Sequence, residues 1–252
     1  MNILKVAFAV VTAFVLVPAW AGQAEVLRDA QYTFEREVGG IGVDSLYREK
    51  IIRNVGDLLR QNQEKFNSPQ FFLLVDRNPE VQKVFFAFYD ATEGKVTLIG
   101  IDKASTGNPK RRGYFETPLG IFENTPANMN YRALGTKNSK GWRGLGARGS
   151  RVWDLGWQRT VRGHGEPMDI RLLVHATDPK FGEPRLGTVQ SMGCIRIPAQ
   201  FNRFLDIHGV LDREYEESVK AKYVLLAKRE PIPFAGKFVV VIDSGDFREP
   251  AL

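Results

Sequence analysis

Phe71-Phe72-Leu73-Leu74-Val75, Val84-Phe85-Phe86-Ala87-Phe88-Tyr89 and Val96-Thr97-Leu98-Ile99-Gly100-Ile101 decide the fold class. Each run is short, and each is rich in β-branched and aromatic side chains. Short apolar runs of this kind read as strands. The turn-like Ala91-Thr92-Glu93-Gly94 between the last two predicts a hairpin or meander.

Working outward, Ser105-Thr106-Gly107-Asn108-Pro109 is a turn, and Thr117-Pro118-Leu119-Gly120-Ile121-Phe122 leads into a further strand. Ile170 to Val174 is a buried-strand run ending at His175. Pro198 to Leu205 opens a helix, with proline in its first turn. Tyr223 to Ala227 and Lys237 to Ile242 read as closing strands. Upstream, Leu46, Ile51, Ile52, Val55, Leu58 and Leu59 give the segment from Asp44 to Phe66 one apolar helical face. The sum is one mainly β domain with peripheral helices. A helical segment, residues 22–66, packs on a main domain of residues 67–252. Residues 124–168 read as a long, mostly loop stretch with a strand at Val152 to Leu155, rich in Gly and Arg, with aromatics at Tyr131, Trp142, Trp153 and Trp157. Loops of that length are usually functional or disordered. A substrate wall or lid and a solvated loop both fit the pattern.

Apolar residues make up 43% of the chain and charged residues 25%, an ordinary globular balance. The net charge of +6 favours anionic surfaces without choosing among them. No recognition helix or stacking sheet points to nucleic acid. Residues 1–21 read as a signal peptide: Lys5, an apolar run from Val6 to Val17, then Ala19-Trp20-Ala21 as a cleavage site, with Ala24 as the alternative. Its removal takes away one cation and leaves +5, and no later segment is apolar enough to span a membrane. The expected location is the periplasm or cell envelope.

Export makes the single cysteine informative, because a lone thiol in an oxidising compartment is a liability unless buried or used. Cys194 lies in Ser191-Met192-Gly193-Cys194-Ile195-Arg196, downstream of His175. A histidine within hydrogen-bond reach can take the proton of a thiol. Gly193 clears space beside the nucleophile and lets backbone N–H groups point at an oxyanion. Arg196 is a planar cation suited to carboxylates. His164, in Arg162-Gly163-His164-Gly165, could line the site, and His208 has no assigned role. Three scattered histidines and one cysteine make no metal set, and no cofactor is expected.

Thr117-Pro118-Leu119-Gly120-Ile121-Phe122, His175 and Ser191-x-Gly193-Cys194-Ile195-Arg196 together resemble the catalytic domain of the YkuD-type L,D-transpeptidases, from about Phe71 to about Leu211. The resemblance implies a β-sandwich or barrel and chemistry on peptidoglycan stem peptides, as donor and acceptor. It implies Cys194 as the acylated nucleophile and His175 as general base. Gly193 and Cys194 would supply oxyanion N–H groups, and Ser191 would help orient His175. Arg196 would bind substrate, with Thr117, His164 and Trp142 as further substrate-binding candidates. The chain departs from the family at Met192, where a histidine is common, so His175 is the only histidine in the motif. A thioester on Cys194 leads to cross-linking, hydrolysis of a stem, or anchoring of a protein, according to which nucleophile attacks. Acylation at the third or the first stem residue stays open, as does non-catalytic binding to the wall.

Overall fold

The computed structural model describes residues 19–162, 165 and 167–247. The apolar run of the expected signal peptide lies outside the described residues, as does His164. The expected cleavage after Ala21 falls at the start of the first helix, α1 (Ala19–Glu37). The second helix is α2 (Ser45–Arg60). Strands β1 (Gln70–Asp76), β2 (Lys83–Asp90), β3 (Lys95–Lys103), β4 (Gly120–Glu123), β5 (Tyr131–Arg132), β6 (Arg151–Val161), β7 (Pro167–Ala176) and β8 (Ile195–Ile197) follow. Helices α3 (Ala199–Ile207) and α4 (Arg213–Glu217) precede the last strand, β9 (Phe238–Ile242).

The strands form two sheets, ordered β3-β2-β1-β9-β4 and β5-β6-β7-β8. The expected meander is present: β1, β2 and β3 pair antiparallel in sequence. The last strand does not close an edge. It inserts between β1 and β4, parallel to the first and antiparallel to the second.

Side-chain alternation explains why the quoted runs are apolar at every position. Phe71, Leu73 and Val75 enter one core, and Phe72 and Leu74 enter another. Val84, Phe86 and Phe88 alternate in the same way with Phe85, Ala87 and Tyr89. The first sheet is therefore buried on both faces, and its strands cannot show a polar side. At about 1.5–3 kcal/mol for each large apolar side chain removed from water, this double burial is the main stabilising contribution.

The outer core is roofed by α2, whose Ile51, Val55 and Leu59 are fully buried. Asp44 caps that helix by accepting the N–H groups of Leu46 and Tyr47. Leu46, expected on the apolar face, is 74% exposed. Five residues at 100° each place it about 140° round the helix from Ile51. The inner core lies between the sheets, where Leu73, Phe86 and Val239 meet Trp153, Leu172, Val174 and Ile195. Phe201 and Phe204 of α3 and Phe34 of α1 enter the same core, with Phe34 edge-on to Phe201 at 5.1 Å. Gly100 lets Phe34 lie flat on β3, since a Cβ there would come within 2.3 Å of the ring. The architecture is a β-sandwich with peripheral helices, and among the described residues no barrel closes.

Two expectations change. The stretch 124–168 is not one loop, because β6 and β7 form a long antiparallel hairpin within it and beyond it. The strand expected at Val152 to Leu155 is the start of β6, and a register shift between Asp154 and Trp157, with Gly156 at φ 78°, interrupts the apolar alternation that would have revealed the rest. The irregular part is residues 124–150, broken by the two-residue β5. The expected strand at Tyr223 to Ala227 is also absent. A 3-10 turn occupies Ala221–Val224 instead, Tyr223 is exposed, and the Val224 carbonyl accepts the Arg132 Nε at 3.0 Å. Among the described residues no helix is long and apolar enough to cross a membrane.

Candidate active site

Cys194 sits immediately before β8, and β8 runs parallel to β7 with Val174 opposite Ile195 and His175 opposite Arg196. Val174 and Ile195 point into the inner core. Alternation then puts Cys194, Arg196 and His175 together on the outer face of the second sheet. The sequence separates Cys194 from His175 by a long connection, and the parallel ladder brings them back to adjacent strands. On the other edge of β8, Ser105 exchanges both backbone hydrogen bonds with Arg196 at 2.9 Å, which ties the site to the chain leaving β3.

His175 is buried, and its Nδ1 lies 2.6 Å from the Ala176 carbonyl oxygen. A carbonyl only accepts, so Nδ1 carries the proton and donates it. The Nε2 lone pair is left as the basic site. Burial pulls the imidazole pKa down to about 4, and the nearby Arg196 cation adds to the shift, while the bond to Ala176 opposes it. The ring is neutral at physiological pH. Burial pushes the Cys194 thiol up, opposed by the Leu173 backbone N–H and by Arg196. The resting pair is thus neutral thiol and neutral imidazole. The thiol donates to the Arg171 carbonyl oxygen, at 3.8 Å, and not to the His175 ring.

These shifts fix a pH dependence. The thiolate fraction rises only in the alkaline range, so alkylation of Cys194 by iodoacetamide should climb steadily above neutrality. A plateau already reached near pH 6 to 7 would reveal a thiolate–imidazolium pair, contrary to this geometry.

Ser191 bonds within the cysteine turn. Its hydroxyl donates to the Cys194 carbonyl and accepts the Gly193 N–H at 3.0 Å, which folds the turn that carries Cys194. Its carbonyl accepts the Asn108 N–H at 3.1 Å. The orienting acceptor for His175 is the Ala176 carbonyl, a main-chain atom that side-chain identity cannot reveal. The Gly193 N–H, expected as an oxyanion donor, is occupied by Ser191. Gly193 itself is required: at φ 129° a Cβ would come within 2.7 Å of Ile170 Cδ1.

Thr117 also differs from its expected substrate contact. It is fully buried, donates to the Gly193 carbonyl at 2.7 Å and accepts the Gly107 N–H at 2.9 Å. A hydroxyl spent in this way seats the cysteine turn from below, a positioning role. Gly107 permits the approach, since a Cβ there would lie 2.0 Å from the Phe115 carbonyl oxygen.

Arg196 and Trp142 are brought together. Both line a cavity of about 320 Å³, along with Met192, which is 55% exposed. Trp142 stacks on Phe181 with centroids 5.8 Å apart. Asp178, missed in the sequence, fastens this wall to the exit of β7. It is buried and accepts the N–H groups of Arg143, Lys180 and Phe181 at 2.9 Å each. Its place after a strand, in Asp178-Pro179-Lys180-Phe181-Gly182, is an Asx-turn signal that could have marked it. A second cavity of about 550 Å³ is lined by Tyr131, Leu134, Lys137 and Asn138, and Asn138 lines the first as well. Among the described residues no group of three or more His, Cys, Asp or Glu side chains is placed to hold a metal.

No protein-family model matches the chain, and no curated protein does. Among solved structures it is similar to the helical cell shape determining protein Pgp2 from Campylobacter jejuni, at 13% identity and a TM-score of 0.34, over 72% of this chain and 50% of that one. A point mutant of the same Campylobacter protein matches at 14% identity and a TM-score of 0.33, over 71% of this chain and 50% of that one. This chain spans about half the length of those structures.

Proposed function

We propose that the protein is a cysteine acyltransferase of the cell envelope, an L,D-transpeptidase that joins peptidoglycan stem peptides through a thioester on Cys194. The observation that carries this reading is the tautomer of His175. Its Nδ1–H is fixed on the Ala176 carbonyl, so the free Nε2 lone pair belongs to a ring one parallel strand away from the only thiol. The peptidoglycan substrate is taken from the resemblance of Thr117–Phe122, His175 and Ser191–Arg196 to the YkuD-type motif.

In the proposed reaction, His175 Nε2 takes the Cys194 proton as Sγ bonds to the donor carbonyl carbon. The Cys194 N–H steadies the oxyanion. The tetrahedral intermediate then collapses, the C–N bond breaks, and the imidazolium hands its proton to the departing amine. An amine of a second stem attacks the thioester, loses a proton to Nε2, and releases the thiol. The two cavities that meet at Asn138 suit a donor in the one lined by Arg196 and an acceptor in the one lined by Tyr131. On this reading, residues 67–252 form the catalytic domain, residues 22–66 its helical support, and residues 1–21 the export signal.

The proposal is tested by mass analysis of products after incubation with defined tripeptide, tetrapeptide and pentapeptide stems. A cross-linked dimer is expected. Shortened stems alone would assign the same site to hydrolysis. No product with any donor would favour a non-catalytic wall-binding protein, a reading that Met192 and the missing thiol–imidazole bond would then support.

A further inference from the structure

The cavity lined by Met192 and Arg196, which flank Cys194 in sequence, has a charge composition that the thioester chemistry alone does not require. Arg111, Lys140, Arg185 and Arg196 all line it, and among the described residues no carboxylate does. Two of the guanidinium groups are braced against aromatic faces: Arg185 lies 4.7 Å over the Trp142 ring, and Arg111 lies 4.4 Å over Tyr114. A guanidinium stacked in this way keeps its edge N–H donors available to a planar anion. Arg196 Nε is buried with no hydrogen-bond partner. A buried donor of a charged group left without an acceptor is costly. Four cations around a cavity of about 320 Å³, with no acidic side chain among the described residues of its wall, repel one another until counter-charge enters.

We propose that this cavity is a carboxylate-binding subsite formed by Arg111, Lys140, Arg185 and Arg196, which selects donor peptides whose residues on the two sides of the scissile bond carry free carboxylate groups. The selection rests on the acyl-transfer reading of Cys194. The charge preference of the cavity does not. One carboxylate engages Arg196 beside the thiol, and a second meets Arg185 and Arg111 further along the wall. Amidation of those carboxylates removes the charge and one acceptor oxygen from each, and should weaken binding.

The first test uses the thiol as a reporter without any wall peptide. Folded wild-type protein is alkylated with iodoacetate and with iodoacetamide at matched pH. The ratio of the two rates, normalised to free cysteine, should favour the anionic reagent by at least about tenfold at low salt and decline as salt is added. The double variant Arg111→Gln/Arg185→Gln should lower that ratio, and its iodoacetamide rate reports whether the thiol's surroundings are intact. A normalised ratio near one, or one the double variant leaves unchanged, overturns the proposal. The second test measures binding of a dicarboxylate stem peptide and its diamide to the Cys194→Ala protein, with about tenfold weaker binding of the diamide expected. Equal affinities overturn the subsite. If the anionic preference holds but no stem peptide acylates Cys194, the acyl-transfer reading fails and the anion subsite stands. If stems acylate but free and amidated donors react and bind alike, only the subsite fails.

Discussion

Replacing His175 with alanine should slow acylation of Cys194 by about 10²–10⁴-fold near neutral pH, the usual contribution of a positioned general base. The size follows from the resting state of the pair. Burial holds the thiol above its ordinary pKa, so little thiolate exists without help. The imidazole, neutral at physiological pH and presenting Nε2, is the group placed to remove the proton as the sulfur attacks. The deficit should shrink as the pH rises, because hydroxide forms thiolate without the base. That narrowing separates loss of a base from general damage to the site. A thermal unfolding scan of the variant checks that β7 still packs. A variant that folds and acylates at the wild-type rate would move the base role elsewhere, with His164 the next candidate.

Replacing Arg151 with methionine should destabilise the protein by about 3–5 kcal/mol, the cost of leaving a buried charge without its partner. Arg151 is fully buried at the start of β6, one residue before Val152, which pairs with His175. Its guanidinium reaches Asp212 at 3.0 Å and Asp206 at 3.4 Å. Asp206 also binds Arg132 of β5. Burial raises the Asp212 carboxyl to about 6, and Arg151 opposes that rise. Without the arginine, Asp212 must take up a proton or remain buried and unpaired. The double variant Arg151→Met/Asp212→Leu should recover much of the loss, since an apolar pair of similar volume needs no counter-charge. Urea unfolding of the two variants measures both quantities. A single variant as stable as wild type would mean that the network contributes no stability.

Local features of the sequence carried most of the fold. Phe71 to Val75, Val84 to Tyr89 and Val96 to Ile101 are strands in the expected places because runs buried on both faces are apolar at every step. What stayed hidden depends on contacts distant in sequence. The insertion of β9 between β1 and β4 joins residues more than a hundred positions apart, and no local pattern encodes that order. Of the strand at Arg151–Val161 only Val152 to Leu155 was legible, and its continuation was obscured by the bulge and by the exposed Trp157.

For the candidate site, sequence and structure agree on which residues lie together. Cys194, His175 and Arg196 share one sheet face, as a nucleophile, base and anion ligand would require. Ser191 and Thr117 lie there as well, and each hydroxyl satisfies backbone groups of the cysteine turn. Arg111, Tyr114 and Arg185 went unseen: an arginine on a loop gives no local sign that it faces a distant cavity.

The most direct measurement is the intact mass of the protein after brief incubation with a defined donor stem peptide, wild type beside Cys194→Ala. A mass increase equal to the donor acyl group on wild type, absent from the variant and released by an amine acceptor as a cross-linked peptide, is the predicted result. The same adduct on the alanine variant, or cross-linked product formed by it, would contradict a thioester at Cys194.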